Sequence, residues 1–212
     1  MILKKLSDIL KIAEESLKLN ENGELILPIR KKIWKSFGES KLVDNVKVEV
    51  SVGLQRRVEL ALLCADKVLD IWTNNVKNDD RPERLLEKAK EYIDGKCDIR
   101  CIDEILGDFY TDLENMMTEE TELINYVGSV ILRISALVSY DEALIKGAHE
   151  EALEEDLDDD LDSYDWDASY YTALAYAGGA KWQEKSSSEK RREFWMWYIK
   201  EAVPQAYLAY QD

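Results

Sequence analysis

One histidine, His149, and three cysteines, Cys64, Cys97 and Cys101, are the only imidazole and thiol groups in this chain. A Ser/His/Asp or Cys/His relay would therefore have to run through His149, because a nucleophile needs a base within hydrogen-bond reach. That histidine lies in KGAHEEALEED, the setting of a partly exposed helical side chain. Cys97 and Cys101 are four apart and can share a helical face, but a closed zinc site takes about four ligands, and Cys64 and His149 are remote in sequence. The odd count lacks the spacing of a disulfide framework, so all three read as reduced thiols. Asp156, Asp158 and Asp160 fall on the first three ligand positions of a calcium loop. Leu161 then stands where the turn needs glycine, and Asp167 where the bidentate glutamate belongs. No Walker loop and no GxGxxG occurs, and Gly178-Gly179 reads as a helix end. The expectation is no catalytic residue, no bound metal and no cofactor.

What the chain has in abundance is negative charge. Its 28 Lys and Arg face 44 Asp and Glu, a formal charge of −16 over 212 residues. Such a field repels phosphate backbones and anionic lipid, and it attracts basic protein surfaces. Nucleic acid and membrane are not expected partners. The opening residues interrupt their apolar positions with Lys, Asp and Glu at helical intervals, unlike a signal peptide, which predicts a cytoplasmic protein. The charge is densest from Glu151 to Asp167, with ten acids and no base. Leu153, Leu157 and Leu161 recur every four residues there, which predicts a helix to about Leu161 with an exposed acidic face. The adjoining YDWDASYY sets aromatic rings among the acids, as protein-binding surfaces do. Candidate partner-binding residues are Asp158, Asp159, Asp160, Asp162, Asp165 and Trp166, with Trp195 read first as core and otherwise as a surface anchor. Exposed tryptophans would also permit a homodimer.

These groups must be positioned by helices. Leu3, Leu6, Leu10, Ala13 and Leu17 share one face of an opening helix that stops at the Asn20–Gly23 turn. Pro28 opens a short element that turns Ile29, Ile33, Trp34 and Phe37 inward. From about 52 to 74 the apolar residues leave no polar face, which predicts a central helix. Pro82 and Gly95 bracket another helix, and Ile102 to Leu113 and Leu123 to Val138 supply two more. Thr118, Glu119 and Glu120 suit the start of the latter. Ser186 and Glu189 have capping-box spacing ahead of a last helix that runs to Pro204. ELILP and VKVEV are each candidates for a short extended piece. The fold class predicted is all-α, a single-domain helical bundle over residues 1–212.

Two segments carry a resemblance. CADKVLDIWTNNVKNDDRPERLLEKAKEYIDGK (64–96) and AKWQEKSSSEKRREFWMWYIKEAVPQAY (180–207) resemble the Imm5-type immunity proteins of bacterial polymorphic toxin systems. The first matches at Ala65, Val68, Leu69, Trp72, Asp79, Asp80, Arg81, Pro82 and Gly95. The second matches at Phe194, Trp195, Trp197, Tyr198, Glu201, Ala202, Val203 and Pro204. The resemblance implies an all-helical inhibitor that occludes a toxin effector domain, and it leaves the toxin unnamed. A basic substrate-binding cleft, such as a nuclease carries, would complement the acidic surface. Asp79 or Asp80, Arg81 and Pro82 read as structural: a helix start, with Arg81 forked onto a carboxylate of a neighbouring helix. Phe194, Trp197 and Tyr198 are expected to pack inward. A carboxylate-based metal-dependent or small-molecule enzyme, or a helical adaptor unrelated to toxins, are the alternatives.

Overall fold

The computed structural model describes residues 4–43, 47–141 and 157–211. Helix α1, Lys4–Leu19, buries Leu6, Ala13 and Leu17 and stops at Asn20, whose side-chain oxygen accepts the Glu24 N–H. Helix α2, Leu27–Ser36, starts at Leu27 and Pro28 and turns Ile29, Ile33 and Trp34 inward, with Phe37 buried at its end. A two-residue antiparallel pairing follows, β1 (Leu42–Val43) against β2 (Lys47–Val48), the second strand lying within VKVEV.

The apolar stretch from 52 to 74 is two helices and not one. Helix α3, Val52–Asp66, is capped by the Ser51 hydroxyl, and α4, Leu69–Asn75, starts after Val68 leaves helical geometry at φ −131° and ψ 0°. No Gly or Pro marks this break. Val68 and Trp72 are both buried around it, Trp72 with its ring 5.3 Å from Phe109. Helices α5 (Arg81–Ile93) and α6 (Arg100–Asn115) pack on each other. A 3₁₀ turn at Glu119–Thr121, capped by Thr118, leads into α7, Glu122–Tyr140. The stretch Glu119–Tyr140 is long and apolar enough to cross a membrane by length and composition alone. Here α7 has α3, α4, α5, α6 and the later helix α8 packed around it. Helices α3 and α7 therefore share the centre. Each fully buried large apolar side chain on them stabilises the fold by about 1.5–3 kcal/mol.

Beyond Leu157 the chain makes two 3₁₀ turns, Asp158–Asp160 and Ser163–Asp165, before α8, Ala168–Ala177. The helix expected to run to Leu161 is thus replaced over 157–161 by a strap of tight turns; Leu153 lies outside the described residues. Gly178 ends α8 in left-handed geometry (φ 80°), as the Gly-Gly pair predicted. Helix α9, Ser188–Trp197, is capped by Ser187, whose side chain accepts the Lys190 N–H. Ser186, the expected cap, instead bonds Gly179 O and receives Arg191. The last helix does not stop at Pro204. It widens into a π turn over Tyr198–Ala202 and continues as α10, Val203–Ala209. Pro204 has no N–H to give the preceding turn and its ring crowds the carbonyl four residues back, and a widened turn accommodates both.

Cys97 and Cys101 are joined in a disulfide across the start of α6, with Cα atoms 6.6 Å apart, and Cys64 is a buried free thiol. The expectation of three reduced thiols is corrected to one. The tight turn through Asp98 brings the two sulfurs together; its carboxylate accepts the Arg100 N–H.

Candidate functional site

The strap between Leu157 and Asp167 is held from inside by Arg30. This arginine, on α2, is fully buried (0% exposed), and burying a cation is costly unless counter-charges accompany it. Asp158 supplies one: Nη1 donates to Oδ2 at 2.9 Å and Nη2 to Oδ1 at 2.5 Å, a two-pronged pair. Asp167 supplies the other, accepting from Nη2 at 2.6 Å, and Leu25 O takes a further bond. Rings of Trp34, Tyr170 and Trp195 surround the guanidinium at 5.2–5.9 Å. The Asp167 carboxylate also caps α8 by accepting the Ser169 and Tyr170 N–H groups.

This arrangement corrects three expectations. Asp158 is 1% exposed, so it is an internal counter-ion and offers no charge to a partner in this structure. Trp166 is buried as well; its Nε1 donates to Asp158 O at 2.7 Å, and its ring packs on Tyr170 and Tyr171. Trp195 is 0% exposed and walls the Arg30 site, so it is no surface anchor. The stripe on α9 runs through Phe194, Trp195 and Tyr198, whereas Trp197, expected inside, is half-buried at the surface.

The outer side of the strap keeps its charge. Asp159, Asp160, Asp162 and Asp165 are exposed, and Tyr164 stands out beside them. Two of the acids also hold turns: Asp160 accepts the Leu157 N–H and Asp162 the Tyr164 N–H. Asp159 pairs with Lys181. Next to that lysine, Trp182 is 59% exposed with its ring 6.3 Å from Trp166, so an aromatic surface borders the acids. Sequence reasoning did not single out Trp182, because AKWQEKSSS shows no periodic face around it. Tyr171 Oη donates to Ser163 O and Arg133 Nη1 to Tyr164 O, which ties the middle of the strap to α8 and α7. Behind it Glu24 is buried; burial raises its carboxyl pKa, Lys181 opposes the shift, and Asp158 and Asp159 add to it.

The motif residues do structural work. Arg81 forks onto Asp79 through Nε and Nη2, both at 2.7 Å, and its Nη1 reaches Asp112 on α6 at 2.7 Å. That fork holds the Asp79 carboxyl below the usual range. Asp79 also accepts the Arg81 N–H, while Asp80 caps without a side-chain bond and lies 3.7 Å from Arg84. Pro82 is buried in the first turn of α5. Phe194 and Tyr198 are buried, and Tyr198 Oη accepts from Trp34 Nε1 at 3.0 Å. Trp197 lines a surface groove of about 410 Å³ with Lys67, Tyr176, Met196, Lys200 and Glu201, Lys67 lying 4.3 Å from its ring centroid. Pro204 opens α10.

Among the described residues no three His, Cys, Asp or Glu side chains converge as metal ligands. His149 and Asp156 lie outside the described residues. What the fold defines is a helical protein with an acidic strap over 157–167, both ends of which are bonded to one buried arginine. Its family follows from comparison with known proteins: a model described as Immunity protein Imm5 matches residues 10–205, and the chain belongs to the Imm5 immunity protein family. No curated protein matches it.

Proposed function

We propose that this chain binds a cognate bacterial toxin effector domain and neutralises it by occlusion, acting in the cytoplasm of the producing or sister cell. The observation that carries this reading, beside family membership, is the strap's outer face: four exposed aspartates bordered by Tyr164 and Trp182. Tyrosine and tryptophan supply contact area at low entropic cost, and surrounding acids steer a cationic partner into place. A toxin with a basic, substrate-binding cleft, a nuclease foremost, has the complementary charge. Inhibition by occlusion requires no nucleophile, base or metal of the inhibitor's own.

The test is co-expression with the C-terminal domain encoded by the gene directly upstream, which this reading expects to be a toxin. Cells carrying both survive while cells carrying the toxin alone die, and the purified pair co-elutes. Death despite full expression of this chain contradicts the proposal.

A further inference from the structure

We infer that Arg30 is the positioning residue of the partner-binding edge: it fastens both ends of the acidic strap to one guanidinium, so that the exposed aspartates and Tyr164 between them are presented in a fixed arrangement. This rests on the proposed toxin-binding function of that edge.

The geometry leads to it directly. Asp158 sits at one end of the strap and Asp167 at the other, and Arg30 bonds to both, with Leu25 O as a third acceptor. Every residue with an exposed carboxylate on the strap, Asp159, Asp160, Asp162 and Asp165, lies between these two fixed points. The aromatic walls of Trp34, Tyr170 and Trp195 enclose the guanidinium. Lys181 pairs with Asp159 on the strap, and Tyr171 and Arg133 bond its middle, but each of these holds one point where Arg30 holds both ends.

Energetics separate this role from plain stability. Replacing a buried ion pair by apolar residues of similar volume is often neutral or stabilising, because desolvation offsets the attraction. A buried pair kept in such a place is then best explained by the arrangement it enforces. Lysine cannot take over, since an ammonium lacks the planar fork that reaches two carboxylates and a carbonyl together. A strap freed at both ends, though still held at Asp159, Ser163 and Tyr164, would have to be ordered further on each encounter, which weakens binding without removing any contact.

The experiment uses the full chain with the upstream-encoded toxin domain as probe. Arg30→Lys, and separately the paired substitution Arg30→Met with Asp158→Leu, are compared with the unsubstituted chain in melting temperature, in amide exchange of residues 157–167 in the free protein, and in binding kinetics. The paired variant is expected to keep its melting transition, to exchange faster in the strap than elsewhere, and to bind about tenfold or more weaker, chiefly through faster dissociation. Arg30→Lys is expected to show the same local exchange and the same weakening. Unchanged exchange in the strap, or unchanged affinity in a variant that has lost the fork, overturns the inference. Failure of the unsubstituted chain to bind the toxin overturns the functional reading on which it stands.

Discussion

Within one run of aspartates, burial divides the labour. Asp158 and Asp167 turn to Arg30, and Asp159, Asp160, Asp162 and Asp165 turn to solvent, though nothing in the letters DLDDDLDSYDWD separates them. Glu24 shows what the inner side costs. Its carboxyl is raised above its ordinary 4.5, so between that value and its raised folded value the native state holds a proton that the unfolded chain has released. Stability contributed by this group is therefore lost as pH rises through that window and is not recovered above it. Glu24→Gln should melt higher than the unsubstituted chain at pH 7, with the difference shrinking as pH falls toward 4.5. Thermal unfolding across that range checks it, and equal melting at pH 7 contradicts the assigned cause. At this scale the sequence was least informative. Arg30 stands in PIRKKIW among other cations, and its partner Asp158 is 128 residues away. The signal that could have found it is its place on an apolar stripe, three before Ile33 and four after Ile26.

Elements were more legible, because helical periodicity and caps are local. The faces of α1, α2, α5, α6 and α7 follow the spacing of their apolar residues, and Thr118 caps where its hydroxyl predicts. The differences fall at the break at Val68, at the strap in place of a leucine-spaced helix, whose Asp158 is drawn in by Arg30, and at the π turn, which is the backbone's local accommodation of Pro204. Close approach is a further thing periodicity cannot report. A Cβ on Gly53, in the first turn of α3, would stand 2.8 Å from the backbone of Gly38, whereas one on Gly107 in α6 would meet nothing within 4 Å. Gly→Ala in an open helix stabilises by about 1 kcal/mol through propensity, but a forced backbone shift costs about 1–3 kcal/mol. Gly53→Ala should therefore lower stability, and Gly107→Ala should raise it. Denaturant unfolding of the two variants reads the opposite signs directly, and a stabilised Gly53→Ala would show that the α3 contact is slack.

Over the whole molecule, composition carried the class and the motifs carried the family, while the surface proposed to meet a partner emerged only when the chain was folded. The aromatic face is completed by Trp182, which follows the acidic run with helix α8 between them, so it meets Trp166 only once that helix has folded. Trp195, for which helical phase left both a core place and a surface anchor open, is core, because the last helix is covered by α1, α3 and α8 together. We propose that the strap's outer carboxylates steer a cationic toxin domain. The most direct test is the association rate of that domain with the chain carrying Asp160→Asn, Asp162→Asn and Asp165→Asn. Asparagine keeps the oxygen acceptor that the turns at Leu157 and Tyr164 use and removes only the charge. Association is expected to be severalfold slower at low salt and to close on the unsubstituted rate at high salt, where screening lengths fall to a few ångströms. Equal association rates at low salt would contradict it.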